Sequence, residues 1–134
     1  MRDEILVDTS AWILSFRGTG NEKLKDCLRD ALDANKVATT NIIIMELLQG
    51  CKSKKEYETL KSSLDALQLY SMSDTTWNLA YETGYAVRRK GITVPTVDIL
   101  LSSLAKENRL TILHHDNHLK ILTREMGIKA IDFM

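Results

Sequence analysis

The stretch Ile5-Leu6-Val7-Asp8-Thr9-Ser10-Ala11-Trp12 decides the fold class, because three aliphatic residues lead directly into an acid and two hydroxyl residues. Short continuous aliphatic runs are typical of parallel strands that are buried on both faces. Ligands of open α/β sheets bind just beyond the carboxyl ends of such strands, which is where Asp8 stands. Aspartate is also a common N-cap, so this stretch alone leaves two interpretations of Asp8, a helix cap and a site residue. Thr9 or Ser10 can also cap the helix that follows.

Short apolar runs alternate with amphipathic stretches along the rest of the chain. We predict strands over 5–7, 37–39, 69–72, 110–113 and 128–131. We predict helices that end near 16, 35 and 50, and helices over 52–67, 76–89, 96–106 and 116–125. Strands separated by helices favour a parallel sheet with helices on both faces, so the predicted fold class is α/β. With no repeat or linker in view, we expect one domain over 1–134.

The composition excludes some classes of function. Lysine plus arginine and aspartate plus glutamate each number 18, so the formal net charge is zero. This excludes a nucleic-acid binder that acts through overall positive charge, but not one with a local basic patch. Cys27 and Cys51 lack the spacing of a metal or redox motif. Since there is no signal-peptide pattern and no run long enough to span a bilayer, we expect a cytoplasmic protein without membrane contact.

Four acids differ from the solvated ones, because each lies at the end of an element or among apolar neighbours. Asp8 and Asp116 follow predicted strands, and Asp98 lies in the first turn of a predicted helix. Glu46 lies in a helix among aliphatic residues, where a carboxylate is costly unless it faces a cleft, a cation or a donor. Taken singly, each acid could complement a helix dipole or lie on the solvent-exposed face of a helix. Taken together, they are predicted to meet at one edge of a parallel sheet.

Carboxylates held a few ångströms apart repel one another, and a divalent cation removes that conflict. Oxygen-only ligands favour Mg²⁺ or Mn²⁺ over zinc, and such ions support hydrolysis of phosphodiester bonds. His114, His115 and His118 could indicate zinc instead, but they straddle a strand end and a helix start rather than forming a helical ligand pair. We expect one of these histidines to line the site and the others to lie at the surface.

The order and spacing of the acids resemble the successive motifs of a PIN-domain ribonuclease, which here are Val7-Asp8-Thr9-Ser10, Glu46, Pro95-Thr96-Val97-Asp98 and Leu113-His114-His115-Asp116. The length and short N-terminus are similar to those of VapC-type toxins of type II toxin–antitoxin systems. The resemblance implies a PIN-like three-layer α/β/α sandwich with a central, mostly parallel sheet. It also implies an Mg²⁺- or Mn²⁺-dependent endoribonuclease that cleaves RNA, a cognate antitoxin in the cleft, and a homodimer.

Carried over motif by motif, the resemblance also implies roles for single residues. Asp8 and Asp98 would bind the metal directly. Glu46 would bind a metal or orient the attacking water, and Asp116 would complete the site directly or through water.

The resemblance extends to supporting residues and has one departure. Thr9 or Ser10 would support the cluster by hydrogen bonding. Many relatives carry a second acid two residues after the position of Asp116, and this chain has His118 there. Because a neutral imidazole lowers the negative charge, one metal ion is expected and a second stays an open alternative.

Two other functions are compatible with some of these features. A different metal-dependent phosphoesterase would use Asp8 as a nucleophile, but the Asp-x-Asp pattern expected there is broken by Ser10. A non-catalytic binding module on the same fold would bind no ion at the acids. It would not need the full set of four.

Basic and aromatic clusters offer weaker signals. Arg88-Arg89-Lys90 could contact an RNA backbone, although a solvated helix end explains it as well. Trp12, Trp77, Tyr81 and Tyr85 could stack on bases, but their helical spacing suits packing in the core or in a dimer better.

Overall fold

The structure is a computed structural model that describes residues 3–134. In chain order its elements are β1 (Ile5–Val7), α1 (Thr9–Ser15), α2 (Glu22–Asp33), β2 (Val37–Thr39), α3 (Asn41–Gln49), α4 (Lys54–Asp65), β3 (Gln68–Leu69), α5 (Asp74–Arg89), α6 (Thr96–Asn108), β4 (Thr111–His114), α7 (Asn117–Met126) and β5 (Ala130–Asp132). The order of elements agrees with the sequence prediction, while the bounds of β3 and β5 are shifted from the predicted 69–72 and 128–131. Both are edge strands, which pair on one side only and carry a weaker pattern.

The strands form one parallel sheet in the order β3-β2-β1-β4-β5. β1 lies at the centre, where Leu6 is in register with Ala38 of β2 and with Ile112 of β4. The chain moves outward from β1 to β3 and then crosses back to β4, so the strand order reverses between β1 and β4. Ligand sites of open α/β sheets lie at such a reversal, beyond the carboxyl ends of the strands. Asp8 and Asp116 follow the two strands that border it.

Right-handed crossovers place helices on both faces of this sheet. The helices α1 to α4 belong to the crossovers on one side of β1, and α5 to α7 belong to those that return and continue to β5. The packing agrees, because α1 contacts α2 and α3, whereas α6 contacts α5 and α7. The core between the layers contains the fully buried Leu6, Val7, Ile43, Leu104, Ile112 and Leu113. The predicted three-layer α/β/α sandwich is confirmed.

The N-terminal ends of α1 and α7 hold the two strand-end acids in place. Asp8 caps α1 by accepting the N–H of Ser10, so the prediction that Thr9 or Ser10 caps this helix is wrong. Asp116 caps α7 in the same way by accepting the N–H of Leu119. Asp8 has the extended backbone conformation of an N-cap, with φ −68° and ψ 154°, whereas Thr9 and Ser10 already lie inside the first helical turn. Each carboxylate is therefore held at the junction of its strand and helix.

The aromatic residues of α5 lie on its outer side. Trp77, Tyr81 and Tyr85 are exposed, so of the two kinds of packing predicted from their spacing, in the core or in a dimer, the core is wrong for these three residues, and Val87 is buried instead. This arrangement follows from the packing of α5, which lies mainly against α6 and leaves its other side open. Trp12, by contrast, is buried in α1. In the described part of the chain, no helix is both long and apolar enough to cross a membrane.

Candidate active site

Asp8 is the most enclosed of the four acids, with only 7% of its surface exposed. Its Oδ2 accepts two hydrogen bonds from Ser10, one from the backbone N–H at 3.0 Å and one from the hydroxyl at 2.6 Å. Burial raises the pKa of Asp8 above its ordinary value, the bonds from Ser10 lower it, and the charge of Asp116 raises it further. Asp8 is therefore both a helix cap and a buried acid beside another acid.

Asp116 stands at the neighbouring strand end and is partly exposed. Its Oδ2 accepts the N–H of Leu119 at 2.9 Å, and its own N–H is donated to Nδ1 of His114 at 3.2 Å. Burial lowers the pKa of His114, which keeps this imidazole neutral and able to accept that bond. The expectation that the histidines outside the site lie at the surface is wrong for His114, which is fully buried. Its place in the buried strand β4 explains this.

Asp98 lies in the first turn of α6, and 17% of its side chain is exposed. Its pKa is raised to about 7, first by burial and then by the charges of Asp116 and Asp8, with a smaller contribution from Glu46. The nearby His118 acts in the opposite direction. Since each of the other three acids influences Asp98, the structure brings all four into one electrostatic cluster.

His118 lies between two of these acids. Its Nδ1 is 3.8 Å from Oδ2 of Asp98 and 3.9 Å from Oδ1 of Asp116. One ligand atom from each of the three residues lies within 4.8 Å of the others, a spacing at which they could hold a metal ion. This group is not the pair singled out from the sequence, Asp8 with Asp98. The sequence predicted that one of the three histidines lines the site without identifying it, and the position of His118 two residues after Asp116 was the signal for its place here.

Glu46 is held from a neighbouring helix. The hydroxyl of Thr9 in α1 donates a hydrogen bond of 2.8 Å to its Oε1, across the contact between α1 and α3. Glu46 is half-buried, on the turn between the buried Ile43 and Leu47. Its carboxylate is thus paired with a donor at the edge of the core, as its apolar surroundings require.

Ser10 connects the two strand ends. Its hydroxyl donates to Asp8 and accepts the backbone N–H of His115 at 3.0 Å, in the loop after β4. Thr9 and Ser10 were predicted as alternative supports for the cluster, and they have separate contacts: Thr9 holds Glu46 and Ser10 holds Asp8. These bonds set the site before any ligand enters.

The donor set fits a divalent cation. Two carboxylates and an imidazole converge, and a third acid, Asp8, lies close enough to raise the pKa of Asp98. Within residues 3–134, no lysine or arginine forms an ion pair with any of the four acids. The clustered negative charge is therefore not neutralised by lysine or arginine in the described residues, and a cation would relieve it.

Known proteins resemble the chain in both sequence and structure. The family model of the PIN domain matches residues 5–125. Ribonuclease VapC11 of Mycobacterium tuberculosis is 30% identical over 132 residues, which cover 96% of this chain and 98% of that protein. The fold is similar to that of DNA-bound VapBC from Salmonella typhimurium, with a TM-score of 0.77, 20% identity and full coverage of both chains. FitAcB from Neisseria gonorrhoeae gives a TM-score of 0.76 at 18% identity, covering 95% of this chain and 96% of that one.

The matches to the PIN-domain family model and to VapC11 extend over nearly the whole chain. They agree with the order of the sequence motifs and with the observed fold. The chain therefore belongs to the PIN-domain family and, within it, to the VapC ribonucleases.

Proposed function

We propose that the chain is a metal-dependent endoribonuclease that cleaves RNA phosphodiester bonds and acts as the toxin of a VapBC-type toxin–antitoxin pair. The observation that carries this is the cluster of Asp98, Asp116 and His118 beside Asp8 and Glu46, with no lysine or arginine paired to the acids in the described residues. The relative VapC11 is named a ribonuclease and matches most of the chain, which supports the same activity here. We place the activity in one domain, 1–134, and in the cytoplasm.

The proposed ion is Mg²⁺ or Mn²⁺, because carboxylates are hard oxygen ligands. Asp8 and Asp98 are the proposed direct ligands, and Asp116 contributes directly or through water. When bound, such an ion stabilises charge on the phosphoryl group and activates water for attack. Asp98 must ionise to take part, and with a pKa of about 7 in the metal-free cluster it gives up its proton as the site fills.

Glu46 is the proposed group that orients the attacking water. Thr9 holds Oε1 of this carboxylate, so Oε2 is the oxygen that accepts a hydrogen bond from the water. The water's proton passes to Glu46 as its oxygen attacks phosphorus, and the leaving oxygen takes up a proton from solvent. The rigid first turn of α1 keeps Glu46 and Asp8 at a constant separation, because Thr9 holds one and Ser10 holds the other.

The proposed partners are an RNA substrate, a cognate antitoxin and a second copy of the chain. Solved structures of this fold include VapBC assemblies, which supports an antitoxin as the partner. A cluster of acids without paired lysine or arginine in the described residues would attract a basic side chain of that antitoxin. Such an antitoxin would occupy the site and exclude both metal and RNA.

The deciding experiment compares wild type with Asp8→Asn by sequencing cleaved RNA ends after induction, and repeats the cleavage in vitro with Mg²⁺, Mn²⁺ or EDTA. Asparagine is as good an N-cap as aspartate, so this variant should keep α1 and remove only the charge. We expect defined cleavage sites in wild type alone, and no cleavage in EDTA. Asp33→Asn, an exposed acid at the end of α2, is the matched control and should cleave like wild type.

Full cleavage by the Asp8→Asn protein, or in EDTA, would contradict the proposal. A trapped phosphoryl group on Asp8 would replace it with a phosphoesterase that uses a covalent intermediate. Calorimetry that detects no Mg²⁺ or Mn²⁺ binding to wild type would point to a non-catalytic binding module.

A further inference from the structure

The main-chain N–H of Asp116 is held by a side chain, whereas that of Asp8 is held by the sheet. Asp8 donates its N–H to the carbonyl oxygen of Leu113 at 2.9 Å, as a residue in a strand does. Asp116 lies two residues beyond the end of β4, and its N–H is donated instead to Nδ1 of His114 at 3.2 Å. The two strand-end acids therefore have different anchors on the side that faces their strands.

The first turn of α7 cannot supply this acceptor. In a capping box, the N–H of the N-cap residue is accepted by the side chain three residues later. Helix α5 has such a box, in which the hydroxyl of Thr76 accepts the N–H of Ser73 at 3.1 Å. In α7 the N-cap is Asp116, and the residue three positions later is Leu119, which is apolar and fully buried. His114 therefore supplies, from the strand side, the acceptor that α5 takes from its own first turn.

The imidazole of His114 makes this one hydrogen bond. The residue is fully buried, and within residues 3–134 its Nε2 has no hydrogen-bond partner. Because Nδ1 accepts a bond from a backbone N–H, it carries no proton, and the neutral ring carries its proton on Nε2. The carbonyl oxygen of His114 accepts the N–H of Phe133 at 3.0 Å, which ties the same residue to β5. A side chain enclosed in this way has little freedom to move, so it fixes the direction of the Asp116 N–H.

Asp116 is thus anchored from both sides. Its Oδ2 accepts the N–H of Leu119 at 2.9 Å, which fixes the carboxylate relative to α7. The bond to His114 fixes the main chain of Asp116 relative to β4. With the first bond alone, the carboxylate would follow any movement of α7. With both bonds it keeps a constant distance from Asp8, and residues that orient ligands in this way raise the affinity of metal sites.

We propose that His114 is a positioning residue of the metal site, which holds the backbone of Asp116 and thereby raises the affinity of the acid cluster for a divalent cation. It acts through Asp116 and is not itself a ligand. The inference rests on the proposed function, which makes the acid cluster a metal site, but its measurement is metal affinity and not RNA cleavage. A protein that binds Mn²⁺ and cleaves no RNA would contradict the proposed function, and the ranking of the variants below would still decide this inference.

The test compares three substitutions of His114 by calorimetry with Mn²⁺. His114→Asn places its amide oxygen where Nδ1 lies and keeps the acceptor, His114→Gln places its amide near the position of Nε2, and His114→Leu has no acceptor. We expect the Asn variant to bind Mn²⁺ like wild type, and the Gln and Leu variants to bind about tenfold or more weakly. Thr123→Val is the control, because it removes a buried hydrogen bond to the Leu119 carbonyl within α7. It should lower thermal stability and leave Mn²⁺ affinity unchanged.

Nitrogen NMR of the wild-type protein is the second measurement, and it needs no variant. We expect the chemical shifts of His114 to show a proton on Nε2 and none on Nδ1, and the Asp116 amide to exchange slowly with solvent. A proton on Nδ1, or an Asp116 amide that exchanges as fast as one exposed to water, would overturn the proposal. So would equal Mn²⁺ affinities in the Asn, Gln and Leu variants, or a Thr123→Val protein that loses as much Mn²⁺ affinity as His114→Leu.

Discussion

The acids at the strand ends differ from the acids on the helices in how they are held. Asp8 and Asp116 each cap the helix that directly follows them, so their carboxylates are bound by backbone N–H groups two or three residues away. Glu46 and Asp98 lie within helices and depend on other elements. Thr9, 37 residues away in the chain, holds Glu46, and His118 of the neighbouring helix α7 lies beside Asp98.

Different contacts therefore position the two pairs of acids. The strand-end acids are placed as soon as β1 and β4 pair and their helices start, whereas the helix acids are placed only when α3 and α6 pack. The division also extends to charge. Hydrogen bonds from Ser10 offset part of the cost of burying Asp8, while the neighbours of Asp98 are mostly other acids. We therefore expect the metal-free site to be most strained at Asp98.

The largest effect should come from Asp98→Asn. Removing a ligand and a charge from the cluster should lower RNA cleavage about 100-fold or more, as loss of a central electrostatic group does in other enzymes. The same change should stabilise the metal-free protein at pH 8, because it removes a buried charge that its neighbours repel. Single-turnover cleavage and thermal unfolding measure the two effects, with Asp33→Asn as the neutral control.

The pH dependence of the stability of the metal-free protein tests whether the buried charge of Asp98 destabilises it. Asp98 has a pKa of about 7 when folded and an ordinary value of 3.8, so between these values the folded state holds a proton that the unfolded state has lost. The contribution of this proton to the free energy of unfolding is fully present below about pH 4 and is lost as the pH rises to about 7. The free energy of unfolding falls over this range by an amount on the order of a few kcal/mol. Urea unfolding of metal-free wild type should show this decline more steeply than Asp98→Asn. Parallel curves for the two proteins would contradict it.

The strand-end acids could be predicted from sequence because their signals are local. Three aliphatic residues before Asp8, and the run Leu110-Thr111-Ile112-Leu113 before the histidines that precede Asp116, indicate buried strands, and acids after parallel strands share an edge. The helix acids could be placed only through their resemblance to the PIN motifs. Nothing in the residues around Glu46 shows that Thr9 lies within hydrogen-bonding distance, since that contact depends on how α1 packs against α3.

The errors have the same origin. His114 was expected at the surface, but it extends a strand that is buried on both faces. The spacing of the aromatic residues of α5 suits packing in the core or in a dimer, and only the packing of α5 against α6 shows that they lie outside the core. Asp8 was predicted to be either a cap or a site residue, and it is a cap whose charge also belongs to the cluster. Local patterns predict elements well, but contacts between distant elements depend on packing.

A smaller effect should follow from Thr9→Val, which keeps the shape of the side chain and removes the hydrogen bond to Glu46. A hydrogen bond to a charged group contributes about 1.5–3 kcal/mol, so we expect cleavage to fall about tenfold or somewhat more. Metal affinity measured by calorimetry should change less than cleavage, because Asp8 and Asp98 keep their positions. Thr59→Val, an exposed threonine of α4, is the control. Equal losses of metal affinity and cleavage would show that Glu46 acts as a ligand rather than as the group that orients water.

The smallest effect on cleavage should come from His118→Asp, which places an acid beside Asp98 and Asp116. The added charge should raise the pKa of Asp98 further in the metal-free protein, because His118 now lowers it. It should also tighten Mg²⁺ binding relative to Mn²⁺, since an oxygen ligand replaces an imidazole nitrogen. Calorimetry reports both affinity and stoichiometry, and His118→Asn removes the imidazole without adding charge. If His118→Asp binds a second ion and His118→Asn does not, the lack of a negative charge at position 118, and not the imidazole itself, limits the site to one ion. If the two variants bind Mg²⁺ with the same affinity, the charge at position 118 does not control metal binding. The affinity is then set by Asp8, Asp98 and Asp116.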